Sequence, residues 1–150
     1  MFEITPFVNT MNRTFKDMVG VELSNGAVEL PDDSKVLSDI TATMGIHGED
    51  KASLVVTVDE SASLFLTKVM TGKDVKLEDR IVTDTIGELL NMIVGAAQKE
   101  SKQKFDFSVP VTFMGKNHEV RAVNRGYFRR VMSHFSEGTV GLYLAKEMDS

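Results

Sequence analysis

From Asp79 to Ala97, Val82, Ile86, Leu89, Ile93 and Ala97 recur at helical spacing, a stripe roughly 80° wide on a helix of 3.6 residues per turn. The pattern predicts a long helix from about Glu78 to Lys102. A helix with one apolar stripe must bury it against another layer of structure, so the segments around it decide the fold. Val36 to Ile46 alternates with period two through Ile40, Ala42, Met44 and Ile46, and Leu54 to Val58 follows the turn His47-Gly48-Glu49-Asp50 as a hairpin partner. Beyond the long helix, strands are expected at Phe105 to Met114, at Glu119 to Val123 after a turn at Lys116-Asn117, at Val131 to Phe135 and at Thr139 to Ala145. The last two form a hairpin through Ser136-Glu137-Gly138.

Two further helices are expected. Thr5 as N-cap and Pro6 at the first helical position open one that carries Val8, Met11 and Phe15 and stops at Gly20. A shorter one runs from Glu60 to Met70 and ends at Gly72. A weak strand is expected at Gly26 to Leu30 beside the turn signal Asn25-Gly26. Both halves thus read as helix followed by strands. The expected fold is α+β: a two-layer mixed arrangement of long helices on a mostly antiparallel sheet, with pseudo-repeated halves. Pro31 to Lys35 and Thr71 to Lys76 are polar loops too short for linkers, so residues 1–150 are expected to form one domain.

Composition narrows the function classes. Without cysteine the chain has no disulfide, thiolate metal site or cysteine nucleophile. A net charge of −5 argues against nucleic acid as main partner, since phosphate backbones demand clustered Lys and Arg. The only local basic run, Arg121, Arg125, Arg129 and Arg130, reads as an exposed loop or strand face. His47, His118 and His134 are not at ligand spacing, and Asp32-Asp33 and Glu49-Asp50 read as solvated turns, so no metal site is expected. The methionines, such as Met11, Met44 and Met92, read as gap-filling core. No signal peptide or membrane span is recognised, and a cytoplasmic location is expected.

The long helix also has an unusual second face. Asp84, Glu88, Asn91 and Gly95 lie together nearly opposite the apolar stripe, and Glu88 and Asn91 are neighbours one turn apart. Gly87, Asn91 and Gly95 are poor helix formers that together cost about 2 kcal/mol relative to Ala. A local rule broken without local gain marks a candidate functional site. An amide has an acceptor and two donors and can fix a water in one orientation. A carboxylate can pair with a partner's lysine or arginine. Neither is a complete catalytic site, but phosphoryl transfer relies on positioning and electrostatics and tolerates a site shared between two proteins. Glu22-Leu23-Ser24-Asn25 repeats the spacing in a strand-and-turn context and is not read as a site.

Glu88-Leu89-Leu90-Asn91 followed by Gly95 resembles the E-x-x-N-x-x-x-G signature of the CheC, CheX and FliY phosphatases of bacterial chemotaxis. Pro6-Phe7-Val8-Asn9, Met18-Val19-Gly20, Asp84-Thr85-Ile86-Gly87 and Phe107-Ser108-Val109-Pro110 also look similar to CheX. The resemblance implies that Asn91 orients the water attacking the aspartyl phosphate of a CheY-like receiver, and that Glu88 pairs with the receiver's active-site lysine. Gly95 and Asp84 would lie where the partner approaches. It also implies that this chain binds no cofactor, that Mg2+ sits in the receiver, and that the chain is a homodimer paired through its sheets. A single motif favours CheX over CheC, which carries two. A non-catalytic receiver-binding module of the same fold is the alternative. A FliY-like switch component ranks last, because such chains carry a further C-terminal domain.

Overall fold

The computed structural model describes residues 2–31, 35–121 and 127–146. Helix α1 (Thr5–Thr14) continues through one π turn (Phe15–Val19) and stops at Gly20 in the left-handed region, φ 76°. Its N-cap is Ile4, one residue earlier than expected; no side chain caps it, and Phe7 and Val8 donate to the Ile4 carbonyl. Strands β1 (Ser24–Asn25), β2 (Lys35–His47) and β3 (Lys51–Val58) follow, then α2 (Glu60–Thr71) and α3 (Arg80–Glu100). The chain closes with β4 (Asp106–Phe107), β5 (Val111–Arg121), β6 (Tyr127–Phe135) and β7 (Gly138–Lys146). This is an α+β fold in which the described residues form three α-helices and a seven-stranded antiparallel sheet.

Three strand expectations need correction. Gly26 to Leu30 is not a strand; β1 precedes it, and Glu29 makes an isolated bridge to Arg130. The strand expected over Phe105 to Met114 is two, β4 and β5, both along the same edge of β2, with Ser108-Val109-Pro110 between them. Pro110 has no N–H to give the ladder. The turn expected at Lys116-Asn117 is a bulge inside β5. Gly115 and Asn117 take positive φ of 156° and 53°, and β5 gains two residues on β2 between Met114↔Ile40 and His118↔Ser38. The strand recovers its pairing because Asn117 N–H donates to Asp39 Oδ1 at 2.7 Å and His118 Nε2 meets Thr41 Oγ1 at 2.9 Å. The expected strand Glu119–Val123 is therefore the end of β5, and residues 122 and 123 lie outside the described ones.

The sheet order β1-β6-β7-β3-β2, with β4 and β5 on β2, has an internal logic. The two hairpins β2–β3 and β6–β7 lie side by side through β3 and β7. Each half sends strands to the other half's hairpin: β1 pairs with β6, and β4 and β5 with β2. The pseudo-repeat is thus visible in topology as an exchange of outer strands.

The helices bury one face of the sheet. Ile40, Ala42, Met44 and Ile46 of β2, with Leu54 and Val56 of β3 and Leu142 and Leu144 of β7, meet Met11, Phe15, Leu66, Ile86, Leu89 and Ile93 in one core. Each such Leu or Ile fully buried stabilises by about 1.5–3 kcal/mol. The opposite face carries a smaller cluster of Val36, Val55, Phe128, Tyr143 and Ala145.

Candidate functional site

Helix α3 is buried more widely than one stripe. Besides Val82, Ile86, Leu89, Ile93 and Ala97, it buries Thr85, Gly87, Leu90 and Val94, because α1, α2 and the sheet all pack on it. What remains is a narrow polar strip. Asp84 and Glu88 are exposed and Asn91 is half-buried. Asp84 reaches Arg80 at 3.8 Å. Glu88 and Asn91 have no hydrogen-bond or ion-pair partner among the described residues.

The strip forms one wall of an open groove of about 410 Å³, and Ser108-Val109-Pro110, flanked by Phe107 and Thr112, forms the other. The glycines explain how the walls meet. A Cβ on Gly87 would lie 3.3 Å from Thr112 Cγ2 and 3.6 Å from Pro110 Cγ, so a bare backbone lets β5 close against the helix. Gly87 therefore belongs to packing, although the sequence grouped it with the costly polar face. A Cβ on Gly95 would stand 3.9 Å from the tip of the Phe107 ring, an ordinary contact, so the group approaching Gly95 here is this chain's own Phe107.

The strap over Ser108 to Pro110 is the part of the site that sequence reading missed, because it was read as continuous strand. The signal was available in Pro110, which cannot sit mid-ladder. Ser108 N–H donates to the Gly45 carbonyl and Ser108 Oγ accepts from Gly45 N–H, both at 2.9 Å, so the strap is fastened to β2.

The other candidates do not join the groove. Asn25 lies in β1, where its amide is shared with Asn12 and Ser133. His118 is held by Thr41 and the Gly115 carbonyl, and His134 Nδ1 by Thr139 Oγ1 at 3.1 Å. Among the described residues no three His, Asp or Glu cluster as metal ligands. Arg129 lies 4.0 Å from the Tyr127 ring centre and Arg130 pairs with Glu29 at 2.7 Å, both on the sheet. Arg125 and Asp32-Asp33 lie outside the described residues, as does the Arg121 side chain. Met11 and Met44 are buried, but Met92 is only half-buried. Among the described residues no helix is long and apolar enough to cross a membrane.

The chemistry available is a free carboxylate and a free amide, one turn apart, on the lip of a groove with no basic lining residue among the described ones. A family model described as chemotaxis phosphatase CheX matches residues 40–132. The fold is shared with a CheC-like superfamily protein from Shewanella sp. PV-4, 29% identical, with 97% of each chain covered and a TM-score of 0.88. It is shared also with chemotaxis protein CheX from Vibrio vulnificus, 26% identical over 96% of this chain and 98% of that one, TM-score 0.88. A CheX–CheY–BeF3–Mg2+ complex from Borrelia burgdorferi has the same fold at 20% identity, with 97% of each chain covered and a TM-score of 0.79. No curated protein sequence matches.

Proposed function

The chain belongs to the chemotaxis phosphatase CheX family, and from that premise we propose that it accelerates hydrolysis of the aspartyl phosphate of a CheY-like receiver. The observation that carries the reading is the unpartnered pair Glu88 and Asn91 on the groove lip. The Asn91 amide accepts from and donates to the attacking water, holding it in line with the phosphorus. The Glu88 carboxylate takes the receiver's lysine and fixes the docked geometry. Asp84 lines the same groove, and Gly95 lies one turn beyond Asn91. Magnesium belongs to the receiver, in keeping with the Borrelia complex, which contains CheY and Mg2+. Residues 1–150 act as one cytoplasmic CheX-like domain in this reading.

The direct test is the lifetime of a phosphorylated receiver from the same organism with and without this protein. Binding with an unchanged lifetime would replace the enzyme with a receiver-binding module. Glu88→Ala is expected to raise the receiver concentration for half-maximal rate about ten- to a hundredfold, the worth of a charged hydrogen bond. A Glu88→Ala variant with wild-type kinetics would remove Glu88 from the docking role.

The homodimer is proposed through the sheet face away from the helices. Thr112 points to α3, so alternation places Val111 and Phe113 on that outer face, 53% and 43% exposed, in register with Thr43 and Thr41. They extend the apolar cluster around Val55 and Tyr143. Light scattering is expected to give a dimer for the wild type and a monomer for Val111→Lys/Phe113→Lys with an unchanged circular dichroism spectrum. A monomeric wild type at micromolar concentration would overturn the arrangement.

A further inference from the structure

We propose that Val109 is the recognition residue of the groove: it takes an apolar side chain of the receiver element entering beside Glu88 and Asn91. It thereby sets affinity and choice of receiver, while hydrolysis is left to the helix. This rests on the phosphatase reading above and deepens it.

Val109 is 83% exposed, the highest value among the exposed large apolar residues described. An exposed valine alone is ordinary; the way this one is held is not. On one side Ser108 is fastened to Gly45 by both backbone and side chain. On the other, Pro110 has a fixed φ and packs over Gly87. The backbone on both sides is already ordered, so contact with a partner loses little further conformational entropy there. A side chain presented to solvent on a rigid strap is pre-organised to bind.

The chemistry of the two walls indicates what binds. The helix wall carries the acidic side chains of Asp84 and Glu88, whereas the strap wall offers Phe107, Val109 and Pro110. Among the described residues no lysine or arginine lines the groove, so its described lining repels a free phosphate or a small phosphorylated metabolite. An occupant satisfying both walls brings a cation to the helix and an apolar side chain to the strap. A protein loop does both at once, and a receiver surface bearing a lysine beside its phosphorylation site is the occupant to which we commit.

The experiment compares wild type, Val109→Ser and Val109→Ile in steady-state dephosphorylation of the receiver. Val109→Ser is expected to raise KM about tenfold, the worth of burying one valine, with kcat within about twofold. Val109→Ile is expected to keep the wild-type KM, and all three to share one melting temperature. An unchanged KM in Val109→Ser, or a fall in kcat at constant KM, overturns the proposal. Titration with the beryllofluoride- and Mg2+-loaded receiver separates the two readings. If the wild type binds without shortening the phosphate lifetime, the phosphatase reading fails, yet weaker binding by Val109→Ser still upholds the recognition role. If the wild type binds no receiver, both fall.

Discussion

Asn91→Ala is expected to return the lifetime of the phosphorylated receiver to its value without this protein, a loss of about a hundredfold or more in the stimulated rate. The size follows from the role: a water no longer held in line loses the advantage of orientation, and displacements of about 1 Å already cost about a hundredfold. The variant separates chemistry from stability. Alanine is a better helix former than asparagine, by a few tenths of a kcal/mol, and Asn91 has no partner among the described residues to lose. The melting temperature should therefore stay or rise slightly while activity disappears. Asn91→Asp keeps the shape but loses both amide donors and brings a charge toward an anionic phosphoryl group, so it should be equally inactive. A kinetic assay in which Asn91→Ala still accelerates hydrolysis would take the water-orienting role away from this residue.

The largest stability loss is expected at Gly138, far from the groove. Gly138 has φ 149°, and a Cβ there would lie 2.3 Å from Asp59 Oδ1 and 2.9 Å from Ala62 Cβ. Asp59 is the N-cap of α2: Oδ1 accepts from Ala62 N–H at 3.0 Å and Oδ2 from Thr139 N–H at 3.1 Å. Gly138→Ala thus strains the hairpin and displaces the cap together, at about 2–4 kcal/mol, or roughly 5–15 °C in melting temperature. Gly72→Ala is the control. It also has a positive φ, 77°, but a Cβ there meets nothing within 4 Å, so it should lose only about 1 kcal/mol. In an Asp59→Ala background the clash with the carboxylate disappears while that with Ala62 Cβ stays, so the Gly138→Ala penalty should shrink in part. Strictly additive losses in that double-mutant cycle would refute the mechanism.

The elements most legible in sequence are those whose periodicity and stop signals agree. Helix α2 ends at Gly72 and the π turn after α1 at Gly20, both in the left-handed conformation that glycine permits. The β2 alternation survives because one face is buried throughout. The polar strip on α3 was legible for the same reason: Glu88 and Asn91 stand out against the buried Ile86, Gly87, Leu89, Leu90 and Ile93 around them. What escaped was set by long-range pairing. Gly115 to Asn117 has the composition of a turn, yet Asp39 and Thr41 of β2 supply partners that carry the strand through it. The second wall of the groove escaped likewise, since Ser108 is held by Gly45, 63 positions away in the chain.

The exchange of outer strands bears on how the chain reaches this fold. β1 finds its partner at Ser133 and His134, and the start of β2 finds its own at Val120 and Glu119. The β6–β7 hairpin finds β1 already made, but the β2–β3 hairpin cannot be flanked on its outer side until residues from the second half have been made. Loop closure on that scale precedes the reward of pairing, which places such a topology among slow folders, milliseconds to seconds rather than microseconds. During synthesis the outer edge of β2 stays unpaired until β5 arrives, and an unpaired edge is a template for another chain. The N-terminal half is thus exposed to aggregation for as long as the ribosome takes to reach the strand that covers it.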